Sequence, residues 1–386
     1  MRWLLPFLAL LGPVDARLWM SKEGVEVEAK LVEVWGDQVT LEIRATRKLL
    51  TAPIAGFSQK DQDYLVSVRD ARQAELRKPN WDDPWPGNIT PDGDVEIIEE
   101  ERNEETGEYV YLSPHYKFIC DARLGKSVVR SFARLFEATH ASMEALPFTF
   151  LRARASNPNH RHPILLFETR AGYQAKGGPP GSSGVYIGGR NGGVVMVPLT
   201  SLGVRPIGSG YMRDRKKSNK TLPHELVHQL TDYEYYAHGS RGWFTEGLAE
   251  YVALSQMSDA RFNFQTNLDE IRAYAAGFGK DGRGGRALGE EIRLPSLRAF
   301  MLQPYSRFTA NANFNYGMGL LVTTYFIHLE DGGSRKNLTN FLKAMREGKS
   351  GDELLAVLRA GRTWEELAQD ISRTWRSKGV KIEIGP

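Results

Sequence analysis

"TLPHELVHQL", residues 221–230, decides how the rest of this chain is read. It sets two histidines, His224 and His228, four positions apart, with Glu225 directly after the first. On a helix, positions i and i+4 share one face about 6 Å apart along the axis, so two imidazoles reach a single metal ion. Glu225 is turned about 100° around that helix, so it faces a water in such a site without ligating the ion. The competing reading is a surface amphipathic helix that carries two stray histidines.

A catalytic zinc site needs a third protein ligand. Downstream, "GWFTEGLAEYVAL" (242–254) reads as a second amphipathic helix, with Leu248, Ala249 and Val252 on its packing side. Glu246 follows His228 with 17 residues between them, enough for one helix to end, turn over 239–242 and return antiparallel. Glu246 then closes a His, His, Glu site with one position left for water. Glu250 is i+4 from Glu246, placed to hold a ligand imidazole by its other nitrogen. His238, in the connection, is the only competitor for the third ligand position, and its spacing does not fit the three-histidine metzincin pattern. His160 and His162 read as loop residues before a strand, and His115, His140 and His328 as structural.

"HELVHQLTD" followed by "WFTEGLAEY" resembles the gluzincin metallopeptidases, in particular the bacterial peptidase MA-like group. The spacing to the glutamate is a residue or two shorter than in that pattern, which bears on the loop and not on the ligand set. The resemblance implies that His224, His228 and Glu246 bind Zn²⁺ and that Glu225 is the general base. "FNYGMGLLVTTYFIHLEDGG" (314–333) is similar to a segment of the aminopeptidase branch, in which a tyrosine precedes a glycine by three residues at the start of an apolar helix. That likeness implies oxyanion stabilisation by Tyr316; the plain alternative is a core tyrosine capping a buried helix. "SGDELLAVLRAGRTWEELAQDISRTW" (350–375) is similar to the helical tail of the group. The Gly-x-Met-Glu-Asn motif that anchors a substrate's free amine is absent, so endopeptidase action fits better than aminopeptidase action. The strand over 184–189, or that over 194–199, is expected to align the substrate backbone.

Outward from this core the chain changes character. "VEVEAKLVEVWGDQVTLEI" (25–43) alternates at Val25, Val27 and Ala29, turns at Gly36 and Asp37, and resumes at Val39, Leu41 and Ile43. That pattern predicts a hairpin. Ser58 is the expected N-cap of a short helix. "RLWMSKEGVEVEAKLVEV" and "FSQKDQDYL" resemble the SLA1 homology domain 1 family, which implies a small SH3-like β-barrel over 17–69 with a binding or adaptor role. Residues 70–108 are dense in Pro, Gly and acid and read as a linker with one short strand at 95–98. Before the module, Arg2, the apolar run Trp3 to Leu11 and the small-residue pattern Val14-Asp15-Ala16 predict a signal peptide over 1–16, and so a secreted or periplasmic protein; the alternative is a buried terminal strand or helix. No later stretch is apolar for 18 residues, so no integral membrane segment is expected.

The 386 residues carry a net charge of +3, with 41% hydrophobic and 25% charged side chains, which gives no argument for a nucleic-acid partner. The lone cysteine, Cys120, excludes an internal disulfide. Gly125-Lys126-Ser127 lies where a phosphate loop would lie, but Cys120 stands where that loop needs glycine. The glycines over 177–193 read as a loop and hairpin rather than a dinucleotide site. The basic run 211–220 reads as a solvated loop. The expected fold is α+β: a zincin-like metallopeptidase domain over 109–386, with a mixed sheet, an active-site helix and a helical C-terminal lobe, after the SH3-like barrel. The expected partners are a peptide or protein substrate and a protein bound by the N-terminal module. The alternative is a non-catalytic zinc-binding adaptor, against which the intact Glu225 argues.

Overall fold

The computed structural model describes residues 16–35, 38–76, 80–91, 93–100, 102–148, 161–188, 193–215, 222–232, 235, 241–277 and 284–385. All but the last residue of the predicted signal peptide, the tip of the first hairpin, His160, His238 and the second half of the basic run lie outside them. The chain forms two compact units, 1–78 and 79–386, of mixed α and β structure.

The first unit holds β1 (Arg17–Met20), β2 (Glu26–Trp35), β3 (Gln38–Ile43) and β4 (Leu49–Pro53) in one antiparallel sheet in that order, followed by α1 (Gln59–Leu76). The predicted hairpin is β2 and β3, with Val34 opposite Val39. Trp19 is fully buried, donates its indole N–H to the Ala29 carbonyl at 2.9 Å, and packs edge-on against Phe57. Asp61 ties the helix to the sheet: it pairs with Arg17 and accepts from the Met20 amide at 2.9 Å and the Ser58 hydroxyl at 3.0 Å. Ser58 in turn accepts from the Asp61 amide, as its N-cap role predicts. Two expectations are corrected. The helix runs to Leu76 rather than stopping by 69. The four strands form no closed barrel among the described residues; a single bridge, Ser21 to Phe57, joins the end of β1 to the chain beyond β4.

The second unit begins earlier than the composition suggested. Asn80 is buried and donates to the Leu146 carbonyl at 2.9 Å, Trp85 packs against Phe148 at 5.4 Å, and Val95 and Ile97 are buried. Within this stretch β5 (Asn88–Ile89) and β6 (Ile98–Glu99) each join a sheet. The expected linker is therefore part of the folded unit: its few apolar side chains are enough to bury it, although Pro, Gly and acid dominate its composition.

Next come β7 (Tyr109–Leu112), β8 (Tyr116–Cys120), α2 (Lys126–Ala145), β9 (His162–Phe167), α3 (Arg170–Ala175), β10 (Val185–Ile187) and β11 (Val194–Pro198). The central sheet has the order β10-β11-β9-β8-β7-β6, parallel at β11–β9 and β9–β8 and antiparallel elsewhere. Tyr116, Phe118 and Cys120 alternate onto one face of β8, where Phe118 meets Phe132 and Phe136 of α2 at 5.4 and 5.0 Å. Burial pushes the Cys120 thiol up to about 12, so it is an inert core group. Gly125 is the N-cap of α2, and Lys126 simply opens that helix. His162 is not a loop residue: it starts β9 and is buried.

A small hairpin, β12 (Val204–Ile207) and β13 (Gly210–Arg213), leads to the helical half. There lie α4 (Leu222–Leu230), α5 (Gly242–Leu254), β14 (Gln256–Ser258), β15 (Arg261–Asn263), α6 (Leu268–Ala276), β16 (Glu291–Leu294), α7 (Leu297–Leu302), α8 (Tyr305–Ala310) and α9 (Ala312–Thr324). The lobe closes with α10 (Lys336–Arg346), α11 (Gly351–Arg359), α12 (Trp364–Ser377) and β17 (Lys381–Ile384), which pairs in parallel with β16. Thr363 and Glu366 cap α12 reciprocally. Among the described residues no helix is long and apolar enough to cross a membrane.

Two contacts in this half decide its stability. The first is the crossing of α5 and α9. A Cβ at Gly247 would lie 2.4 Å from the Gly319 carbonyl oxygen, and one at Gly319 would lie 2.8 Å from the Trp243 carbonyl oxygen, so the backbones touch because both residues lack a side chain. Gly247→Ala is expected to lower the melting temperature, because overpacking costs about 1–3 kcal/mol and exceeds the roughly 1 kcal/mol that alanine gains in a helix. The second is His328, in the single π-helical turn Tyr325–Leu329, which shares a 2.7 Å hydrogen bond with the Tyr251 hydroxyl and packs on Trp85 at 5.7 Å. Burial, then the nearby Arg335, depress its pKa to about 4. The unfolded chain therefore binds the proton first. Stability from this group is full above about pH 6.5 and is lost as pH falls towards 4, by about 3 kcal/mol. Melting curves over pH 4–7 are expected to show a shallower slope in His328→Gln than in the wild type.

Candidate metal centre

Helix α4 brings the two histidines onto one face, as the spacing predicts. Nε2 of His224 and Nε2 of His228 lie 3.1 Å apart, and Glu246 Oε2 lies 3.0 and 3.2 Å from them. All three residues are buried. Donors bound at about 2.0–2.1 Å to a tetrahedral ion sit about 3.3 Å from one another, so the observed triangle is close to that of three ligands. Two imidazole nitrogens and a carboxylate oxygen converge here out of water, and the group could hold a metal ion.

The surrounding carboxylates favour positive charge at this place. Burial pulls His224 down, but the Glu246 hydrogen bond and the charges of Glu250, Glu246 and Glu225 outweigh it and push the imidazole up to about 9. Burial pulls the Glu246 carboxyl upward, and the charge of His228 with the hydrogen bonds from both imidazoles reverses this, holding it well below the usual carboxylate range.

Glu225 does not touch the triangle's oxygen. It borders the same cavity, of about 700 Å³, and its Oε2 accepts the Tyr186 backbone N–H at 2.8 Å. Tyr186 belongs to β10. That strand is paired on one side only, by β11, whereas β11 is paired on both. Of the two strands expected to meet a substrate, β10 borders the cavity, through Val185 and Tyr186, with Gly184 just before it. The cavity also touches Arg241 and Thr245 at the start of α5.

Tyr316 lies over His224, ring to ring at 5.9 Å and 20°, and borders the cavity. Burial first, then the Glu246 charge, raises its phenol well above the ordinary value, so it carries its proton at neutral pH. Glu250 is buried, with Oε1 3.5 Å from His224 Nδ1, at the outer limit of a hydrogen bond.

Sequence reasoning missed three contributors. Arg286 pairs with Glu250, and its guanidinium lies 4.9 Å from the Tyr316 ring centre and 5.6 Å from that of Tyr274. Tyr305 donates its hydroxyl to Glu246 Oε1 at 2.6 Å. The Tyr186 amide is the third. None belongs to a spaced motif: "GRGGRALG" and "QPYSRF" hold ordinary surface residue types, and a backbone amide carries no sequence signal at all.

The geometry defines a class: a mixed α+β unit with a buried His, His, Glu group in the wall of a cavity. Set against protein-family models, curated proteins and solved structures, the chain matches none of them.

Breaking a buried ion pair from one side is costlier than removing both charges. Arg286→Met is expected to destabilise the metal-free protein by about 3–5 kcal/mol in urea unfolding. The double variant Arg286→Met with Glu250→Gln should cost less than Arg286→Met alone, because the stranded carboxylate is gone.

Proposed function

We propose that the chain is a zinc-dependent peptidase that hydrolyses internal peptide bonds. One observation carries the reading: two imidazole nitrogens and one carboxylate oxygen converge, buried, in the wall of a cavity that Glu225 also borders. Structural zinc sites are closed by four protein ligands, whereas catalytic ones use three and keep a position open. His224, His228 and Glu246 would hold the ion, and the nitrogen and oxygen donor set suits zinc. Zinc bound there supplies Lewis acidity, which lowers the pKa of water and polarises a carbonyl.

The chain's own groups divide the remaining work. Glu225 accepts the proton of the attacking water and passes it to the leaving amine. The Tyr186 amide fixes the direction of that carboxylate through Oε2. The Tyr316 hydroxyl donates to the carbonyl oxygen as negative charge develops on it. Glu250, with Arg286 behind it, orients the His224 ring from the Nδ1 side. β10, on the cavity wall, aligns the backbone of an extended peptide.

This reading gives the second unit a zincin-like architecture and the first a recognition role towards a protein partner, with export directed by residues 1–16. It also favours catalysis over a non-catalytic zinc-binding adaptor, because an adaptor has no use for a carboxylate at position 225 beside an open ligand position.

Purified protein is expected to cleave casein or a quenched peptide and to stop when a chelator removes its metal. Glu225→Ala should keep about one zinc per chain and lose about 10²–10⁴-fold in kcat. Cleavage by Glu225→Ala at the wild-type rate would sink the proposal.

A further inference from the structure

Glu246 uses its two oxygens differently. Oε2 faces both imidazole nitrogens, whereas Oε1 accepts the Tyr305 hydroxyl at 2.6 Å. Among the described residues, Tyr305 is the only hydrogen-bond donor recorded for Oε1. The carboxylate is almost completely buried, so Oε1 cannot turn onto an ion without weakening its bond from Tyr305, a charge-assisted one worth more than an ordinary hydrogen bond.

Tyr305 is held where it can do this. It opens α8 directly after Pro304, whose ring fixes the backbone entering the turn. Its ring stacks on Phe308 at 6.5 Å and 8°, and Phe308 stacks on Tyr316 at 5.7 Å and 27°. Phe308 is fully buried against the start of α5, where a Cβ on Gly242 would lie 2.6 Å from its ring. Three parallel rings therefore seat two phenols on the cavity wall, one over His224 and one on the far oxygen of Glu246.

We propose that Tyr305 is a positioning residue that confines Glu246 to ligation through Oε2 alone, and so keeps the metal four-coordinate with its last position free. A carboxylate that swung both oxygens onto the ion would raise its coordination to five and crowd that position. The inference rests on the metal-centre reading given above, and the experiment separates the two.

The test is cobalt(II) substitution of the full chain, with visible absorption and chelator competition as readouts, neither of which requires a known substrate. Four-coordinate cobalt absorbs much more strongly than five- or six-coordinate cobalt. The wild type is expected to give the intense spectrum. Tyr305→Phe removes only a hydroxyl from a residue that is half-exposed, and its metal-free melting curve reports whether the fold persists. It is expected to give a weaker, five-coordinate spectrum and about a 10–100-fold loss of metal affinity. A Tyr305→Phe spectrum that superimposes on the wild type, with affinity unchanged, overturns the inference and leaves the metal centre standing. A weak five-coordinate spectrum from the wild type itself also overturns it, whatever the variant does. Wild-type protein that takes up no cobalt overturns the metal-centre reading, and this inference with it.

Discussion

The site depends on two glycines that let helices touch. Gly247 follows Glu246 directly, and Gly319 lies three residues after Tyr316. Because neither carries a Cβ, α5 and α9 approach until a backbone carbonyl of one meets the Cα of the other. That approach brings the helix with Glu246 and Glu250 against the helix with Tyr316. It also leaves Trp243, fully buried, to fill the space beside the crossing, with its carbonyl accepting from Thr323 at 3.2 Å. The packing of the C-terminal lobe and the geometry of the metal group are thus one problem rather than two.

Charge is distributed around this crossing in shells. At the centre are two imidazoles and a carboxylate. Behind His224 stands Glu250, fixed by Arg286, and behind the far oxygen of Glu246 stands Tyr305, stacked on Phe308; beside them Glu225 is fixed by the amide of Tyr186. Burial makes each of these pairings expensive to break. Glu225 is less buried than the three donors and opens onto the cavity.

The histidine pair, Glu246 and Glu250 were legible in the sequence because helical spacing is a local property, and four-residue steps survive translation into space. The β2–β3 hairpin, the strands at 109 and 116 and the α2 helix were legible for the same reason. The extent of the second unit was not. Composition over 70–108 pointed to a spacer, but Asn80, Trp85 and Val95 find partners more than thirty residues away, and composition does not register such contacts. Barrel closure in the first unit was expected from likeness, and the described strands stop at an open sheet. Tyr305 and Arg286 were invisible because what places them is tertiary: a stack on Phe308 and a salt bridge to Glu250.

The early segment of the second unit has a kinetic consequence. β5 pairs with β15, joining residues 88–89 to 262–263, and Trp85 donates to the Phe264 carbonyl. β16 at 291–294 waits for β17 at 381–384. Such distant closures carry a large entropic toll and slow the search for the native topology. A ribosome that has just released α4 and α5 has made every metal donor, yet the walls that hold those donors together are still unsynthesised. The group of His224, His228 and Glu246 is accordingly enclosed only on completion of the C-terminal lobe, not on emergence of the histidines.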